Sequence, residues 1–288
     1  MFFYKLIGHL PLFILYRVAT GMQWIFFYVI SYRKKVILTN IRHSFPTYSE
    51  KQIRQLGFEF YGYLTDQLVE FFRGAAMSKK ELLKRMVMVN EDLVHAYIDQ
   101  GIPVVYVAGH QGNWEWAVHR LALSDIQHDI VYQKLSSPSF NEFTMWVRKR
   151  FGNNVLLEKR ESILASRERK DIPRAICLAA DQSPQKPESA YWTQFLNQDT
   201  GFFTGVERFA REYNYPVFFV ELIRTKRGYY TMTFEEIAKP SYEELAKGAI
   251  IERFARRLEK SIEQYPDQYL WSHKRWKHAK PSHIQMNW

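Results

Sequence analysis

The stretch Ile102-Pro-Val-Val-Tyr-Val-Ala-Gly-His-Gln-Gly-Asn-Trp-Glu115 changes character halfway along its length. Its first part, Ile102 to Ala108, is short, apolar, rich in β-branched residues and bounded by glycines. Such a run predicts a buried strand. A polar loop follows, and a helical pattern then extends from about Asn113 to Leu123. The stretch therefore predicts a strand that ends in a polar loop and continues as a helix.

The rest of the chain predicts an α/β protein. Helices are expected at about 47–73, 79–86, 91–100, 139–151, 161–170, 205–213 and 242–264, and strands at 129–132, near 155, and at 174–180, 217–223 and 229–234. Alternating strands and helices are typical of an α/β sheet. A turn at Arg227-Gly228 indicates one antiparallel pair. We expect a mixed, mostly parallel central sheet flanked by helices.

The N-terminus carries two apolar, aromatic-rich runs, Leu6 to Tyr16 and Val18 to Ile30, separated by Arg17. Neither run reaches the ~20 residues of a full membrane span. Together they are compatible with one imperfect transmembrane helix, with a kinked hairpin in one leaflet, or with a buried core helix. The basic cluster at 33–35 is typical of the cytoplasmic side of an anchor. We expect residues 1–31 to be a membrane anchor and residues 32–288 the folded domain.

Residues of catalytic type follow the strand at 102–108. In open α/β sheets, ligands gather at the carboxyl ends of strands. If Glu115 lies in the first helical turn, its carboxylate can turn back toward His110, fix the ring tautomer and stabilise an imidazolium. His110 would then be a general base for a hydroxyl group, close to the backbone N–H groups of the helix N-terminus. By itself the pattern fits a capping Asn113 and a surface histidine equally well.

A second predicted strand ends at Asp181. This residue is compatible with a loop cap, a metal ligand or part of an acceptor site, and the cap is the simplest interpretation. Further on, Thr204 precedes the helix expected from Gly205, where it would be the N-cap and the helix start an anion site. The single cysteine, Cys177, lies in an apolar strand and suits packing better than nucleophilic chemistry.

Composition limits the partners. A net charge of +10 beside 47% hydrophobic residues indicates a folded protein that meets anionic molecules, such as nucleic acid, lipid head groups or acidic carrier proteins. Basic residues between the two polar loops, including Arg148 and Arg150, would form a positive rim or a solvated face. Residues 269–277 interleave aromatic and charged side chains, which suits nucleic acid or a lipid interface. The sequence has no zinc-type cysteine array, P-loop or dinucleotide fingerprint, so we expect no metal and no cofactor.

Several motifs together resemble one family. They are Gly109-His-Gln-Gly-Asn-Trp-Glu115, Asp181-Gln-Ser183, Phe202-Phe-Thr-Gly205 and the stretch from Gln268 to Lys277. In this order they resemble the late acyltransferases of bacterial lipid A biosynthesis, and residues 32–46 resemble the segment that follows the family's membrane anchor. The likeness spans nearly the whole chain. It implies a glycerolipid acyltransferase-like fold and an enzyme of the bacterial inner membrane with its catalytic domain on the cytoplasmic face.

The resemblance also implies roles for residues. His110 would deprotonate the acceptor hydroxyl and Glu115 would orient it, with direct acyl transfer and no acyl-enzyme. The implied donor is an acyl carrier protein thioester, and the implied acceptor is a glycolipid, a lipid A precursor. Arg148 or Arg150, together with Asp181, would lie near the site.

We also expect Asn113, Lys134, Thr204 and Gly205 to contact substrate. Lys134 departs from the family, because many members have Tyr-Arg where this chain has Tyr132-Gln-Lys134. The acceptor therefore stays open between a lipid A precursor and another membrane lipid or amphiphile. A non-catalytic basic protein of the membrane surface, or one that binds nucleic acid, is the alternative from a different class; for the enzyme we expect no nucleic-acid partner.

Overall fold

The computed structural model describes residues 2–152 and 154–282. Over these residues the strands are β1 Met86–Val89, β2 Val104–Ala108, β3 His128–Tyr132, β4 Asn154–Glu158, β5 Ala175–Ala179, β6 Tyr191–Phe195, β7 Gln198–Phe202, β8 Val217–Lys226 and β9 Tyr229–Ala238. Seven of these described strands form one sheet in the order β1-β9-β8-β2-β5-β3-β4. All neighbours are parallel except β8 and β9. The expected fold class, a mixed and mostly parallel α/β sheet, is confirmed.

Helices flank the sheet and precede it. They are α1 Phe2–Gly8, α2 Leu12–Trp24, α3 Lys34–Ser44, α4 Glu50–Gly74, α5 Lys79–Arg85, α6 Asp92–Ile98, α7 Trp114–Leu121, α8 Pro138–Arg148, α9 Ser162–Glu168, α10 Gly205–Tyr213 and α11 Ala249–Gln264. A π-helical segment, Ile25–Ile30, extends α2. The start of α4 follows local rules: Ser49 and Gln52 form a reciprocal capping box.

The core lies on both faces of the sheet, because successive side chains of a strand point to opposite sides. In β2, Val105 and Val107 belong to one apolar cluster, and Val104 and Tyr106 belong to another. The first cluster includes residues of α4, α10 and α11, and the second includes residues of α5, α6 and α7. A strand buried in this way has no polar periodicity, as its sequence predicted.

Three sequence predictions miss an element or its boundary. The four-residue strand β1 was not predicted, and the helix expected at 79–86 includes only its first residue, Met86. The hairpin β6–β7 lies in a segment expected to be a loop; its turn is formed by Leu196 and Asn197, both at positive φ. A turn with two positive-φ residues is normally signalled by Asn-Gly or Asp-Gly, so this one was not visible. Helix α11 begins at Ala249 and not near 242, because Gly248 precedes it at φ 88°, which an α-helix cannot include.

The N-terminal apolar segment packs along α4. Leu15 and Ala19 are buried against Val69, whereas Val18 and Val29 are 50% and 76% exposed. Among the described residues, Leu12–Ile30 is long and apolar enough to cross a membrane, and 17% of it is buried in the protein. The segment thus has one face fixed to the folded body and one apolar face left uncovered.

Candidate active site

His110 and Asp181 follow neighbouring parallel strands. Ala108 at the end of β2 pairs with Ala179 at the end of β5, and each polar residue comes two positions later. The two loops therefore start side by side at the carboxyl edge of the sheet. His110 Nδ1 lies 2.6 Å from Asp181 Oδ1, and the His110 backbone N–H donates to Asp181 Oδ2 at 2.8 Å. Both oxygens of one buried carboxylate hold the histidine.

This pairing determines which ring nitrogen can react. Nδ1–H donates to Asp181, so Nε2 of the neutral ring carries the free lone pair. The Gln182 side-chain nitrogen lies 3.3 Å from Nε2. The ring also meets Trp114 edge to face, with centroids 5.2 Å apart. His110 can accept a proton at Nε2 while the hydrogen bond from Nδ1 to Asp181 fixes the orientation of the ring.

Charge around the pair favours an imidazolium. Burial lowers the pKa of His110, but attraction and hydrogen bonding to Asp181, with a further contribution from Glu115, outweigh it and raise the pKa above its usual value. Burial would raise the pKa of Asp181, because it disfavours the charged carboxylate. The charge of His110 and the hydrogen bonds from its ring and backbone N–H outweigh burial, and the pKa of Asp181 is lowered. The pair is therefore an ionised carboxylate beside a strengthened base.

Glu115 is not the hydrogen-bonded partner that the sequence suggested for His110. It lies in the first turn of α7, as expected, but Arg148 Nε and Nη2 donate to its two oxygens at 2.9 and 2.6 Å. The Arg148 side chain is 16% exposed, and its charge needs a nearby anion. Burial alone would raise the pKa of Glu115, but the charge and hydrogen bonds of Arg148 have the larger effect, and the pKa is lowered. Glu115 acts on His110 through space, and Asp181 is the direct partner.

Close packing explains why two positions of the loop after β2 are glycine. A Cβ on Gly109 would lie 2.6 Å from a Leu258 methyl carbon, where α11 packs on the loop. Gly112 has φ 54°, and a Cβ there would lie 2.5 Å from the Leu222 carbonyl oxygen. The Gly112 carbonyl in turn accepts a hydrogen bond from Tyr63 of α4 at 2.6 Å. The loop is held closely between α4, α11 and β8.

Asn113 is buried and forms its hydrogen bonds within the protein. It is 1% exposed; its Oδ1 accepts from the Trp116 N–H at 2.9 Å and its Nδ2 donates to Glu70 Oε2 at 2.6 Å. Both polar atoms are used internally in this structure, and the expected contact of Asn113 with substrate stays a prediction. The alternative that Asn113 caps the helix is confirmed.

The other residues that were expected to bind substrate lie in different surroundings. Arg150 donates to the Gly74 carbonyl at the end of α4, so its guanidinium is engaged away from Glu115. Lys134 is exposed after β3. Thr204 occupies the N-cap position of α10, which begins at Gly205, but its side chain makes no capping hydrogen bond. Substrate contacts by Lys134, Thr204 and Gly205 stay predictions.

The C-terminal aromatic and basic stretch supports the site from within. Trp271 and Arg275 are 0% and 3% exposed, so the expectation of an exposed lipid or nucleic-acid interface is wrong for them. Arg275 donates to the Gly201 carbonyl and lowers the pKa of Asp181. His273 Nε2 accepts from the Ser183 N–H at 3.2 Å. The only indication in the sequence that these residues support the site was that the stretch from Gln268 to Lys277 is one of the motifs that carry the family resemblance.

One group of described side chains could hold a metal ion. Possible ligand atoms of Glu91, His95 and Asp125 lie within 4.8 Å of one another. Asp125 precedes β3, so the group lies at the amino-terminal edge of the sheet, opposite the loop of His110. It has no part in the chemistry at the carboxyl edge.

An Asp-His pair in which Nε2 of the histidine can accept a proton, at the carboxyl edge of an α/β sheet, defines a class of site that activates a hydroxyl group or a water molecule. The family model described as bacterial lipid A biosynthesis acyltransferase matches residues 1–278. The chain belongs to this family, and it is an acyltransferase that acts on lipids. The family and the apolar N-terminal segment indicate membrane association.

Among solved structures, the 1-acyl-sn-glycerophosphate acyltransferase PlsC from Thermotoga maritima is similar at 13% identity and a TM-score of 0.40, over 89% of this chain and 97% of that chain. The search of curated proteins finds no match.

Proposed function

We propose that this protein transfers a fatty acyl group from an acyl carrier protein thioester to a hydroxyl of a lipid A precursor, with His110 as the general base. The observation that carries the proposal is the 2.6 Å contact between His110 Nδ1 and Asp181, which leaves Nε2 as the proton acceptor. Family membership supports a lipid acceptor. The acyl carrier protein is the donor that the family resemblance implies.

The proposed reaction is a direct transfer. His110 Nε2 takes the proton of the acceptor hydroxyl as its oxygen attacks the thioester carbonyl, forming a C–O bond. The C–S bond then breaks, and the imidazolium returns the proton to the carrier thiolate. Products are an ester of the acceptor and the free thiol of the carrier, and the enzyme is unchanged. Asp181 stabilises the imidazolium between the two steps.

Glu115 and Arg148 have supporting parts in this proposal. Glu115 adds negative charge near the imidazolium, and its ion pair with Arg148 fixes that charge in place. The tetrahedral oxyanion needs donors, and we assign them to backbone N–H groups near Gly112 or to an arginine at the site. Both sources lie on the same edge of the sheet as His110.

The charge and the N-terminal segment support the proposed setting. A net charge of +10 favours association with an acidic carrier protein and with anionic lipid. The uncovered apolar face of residues 12–30 would enter the cytoplasmic leaflet of the bacterial inner membrane, with Arg33, Lys34 and Lys35 at the head groups. The catalytic edge would then receive a lipid acceptor from the membrane and the carrier from the cytoplasm.

The test compares membranes that contain wild type, His110→Ala or His43→Ala, using acyl carrier protein loaded with a radiolabelled acyl group and purified lipid A precursors. His43 is an exposed histidine of α3 and controls for loss of an imidazole elsewhere. We expect label in the glycolipid with wild type and His43→Ala, and a loss of at least about 10²-fold with His110→Ala. Near-normal turnover by His110→Ala would remove the proposed base.

The departure at Lys134 is a reason to test other acceptor lipids in the same assay. Where many family members have Tyr-Arg, this chain has Tyr132-Gln133-Lys134, which lacks a planar, bidentate guanidinium that suits phosphate. Total membrane lipids are therefore supplied in parallel. Label that appears in another lipid, and not in the lipid A precursor, would support the proposed acyl transfer but identify that other lipid as the acceptor.

A further inference from the structure

Glu70 is a fully buried carboxylate near the C-terminal end of α4 that receives hydrogen bonds from three separate parts of the fold. It is 0% exposed. Tyr16 of α2 donates to Oε1 at 2.6 Å, while Asn113 and Tyr230 of β9 donate to Oε2 at 2.6 and 2.5 Å. Burying an acidic group is unfavourable unless it is well paired, so a core position that needed only packing would be filled better by an apolar residue.

Asn113 connects this cluster to the active-site loop. Its amide donates to Glu70 while its carbonyl caps α7 through the Trp116 N–H. Trp116 also donates from its indole to the Glu70 backbone carbonyl at 2.8 Å. Asn113 lies three residues after His110 and two before Glu115. Glu70 therefore holds the segment that carries both proposed site residues, without touching the reacting atoms.

Tyr16 connects the same cluster to the N-terminal helix. Its hydroxyl reaches Glu70 from α2, and the Tyr16 carbonyl accepts from Arg227 at 3.0 Å. Other side chains of α2 are uncovered, including Phe13 and Val18 at 60% and 50% exposure. One helix thus contacts the support of the catalytic loop through Tyr16 and carries uncovered apolar side chains as well.

We propose that Glu70 is a positioning residue for acyl transfer, and that Tyr16 of the N-terminal helix acts through Glu70 and Asn113 to hold His110 in its reactive position. The N-terminal helix is then part of the catalytic framework as well as a membrane anchor. This inference rests on the proposed function, because it concerns the placement of the proposed base.

The decisive variants remove single groups without changing size. Tyr16→Phe deletes one hydroxyl, and Glu70→Gln replaces the carboxylate with an amide that still accepts from Asn113. The matched controls are Tyr48→Phe, a half-buried tyrosine after α3, and Glu59→Gln, an exposed glutamate of α4. Each full-length variant is assayed in membranes at equal amounts of membrane-bound protein, so that loss of anchoring is separated from loss of catalysis.

We expect kcat to fall by about tenfold to a hundredfold in Tyr16→Phe and in Glu70→Gln, with KM for the acyl donor nearly unchanged, because a misplaced base slows the chemical step. The double variant should be little worse than Glu70→Gln alone, because both act through one carboxylate. The controls should keep wild-type kcat. A merely structural role predicts lower thermal stability but normal kcat per folded molecule.

The outcomes also separate this inference from the proposed function. Absence of transfer by wild type to any lipid supplied would refute the proposed function. Normal transfer by wild type, with unchanged kcat in folded Glu70→Gln and Tyr16→Phe, would overturn the positioning role alone. Strictly multiplicative losses in the double variant would overturn the path from Tyr16 through Glu70.

Discussion

Replacing Asp181 by Asn tests the catalytic geometry most directly. The change keeps the size of the side chain but removes the charge that faces the His110 ring and backbone N–H at 2.6 and 2.8 Å. Without that charge the imidazolium loses its nearest counter-ion, and the amide can support the wrong ring tautomer. By analogy with other carboxylate-supported histidine bases, we expect kcat to fall by roughly 10²–10⁴-fold.

The pH dependence has a defined sign. His110 works as a base when neutral, so activity is lost as pH falls through its pKa, which in the wild type is raised above the usual value. Burial opposes the charged ring, and Asp181 is the main group that overcomes it. In Asp181→Asn the acid limb of the kcat profile should therefore move to lower pH.

The assay measures kcat against pH for wild type, Asp181→Asn and Asp171→Asn. Asp171 is an exposed aspartate just before β5, at the opposite end of the strand that leads to Asp181. It controls for a general change of charge. Wild-type kcat and an unmoved acid limb in folded Asp181→Asn would refute the reasoning.

Three further predictions concern neighbouring groups. Arg148→Lys keeps the charge but loses the bidentate geometry toward Glu115, and we expect kcat to fall by about tenfold or more, measured with donor and acceptor saturating. Gly112→Ala forces a Cβ onto a β8 carbonyl oxygen at φ 54°, and thermal unfolding should show a loss of about 2 kcal/mol or more, whereas Gly21→Ala, with open space around its Cβ, should be neutral or slightly stabilising. Burial, opposed by its hydrogen-bond donors, raises the pKa of Glu70 from 4.5 to about 7. Between these two pH values the unfolded state is ionised and the folded state holds the proton, so denaturant unfolding should show that Glu70→Gln gains stability relative to wild type as pH rises from about 4.5 to 7, with no further gain above that.

Local sequence was sufficient for most elements and for the location of the site. Apolar runs and caps act over a few residues, so β2 and the start of α4 at its Ser49 capping box were predictable. The position of His110 and Asp181 at the carboxyl ends of two strands followed from the same patterns. The hairpin at Leu196-Asn197 was missed because its turn residues are not the usual ones.

Only the tertiary structure decided which acid meets His110. Glu115 is five residues away and was the local choice, yet the direct partner is Asp181, 71 residues distant. That choice depends on β5 pairing with β2 although β3 and β4 intervene in the chain, and on a register that places Ala108 beside Ala179. Strand order arises from long-range packing, which periodicity within a strand does not encode.

The same reason applies to Glu70. A glutamate within an amphipathic helix has no local signature of burial, and its partners come from α2, the N-cap of α7 and β9. The sequence by itself determined which residues form the strand ends and therefore where chemistry could occur. Folding decided which charges face one another there, because ion pairs and buried hydrogen bonds depend on distances between segments that are remote in the chain.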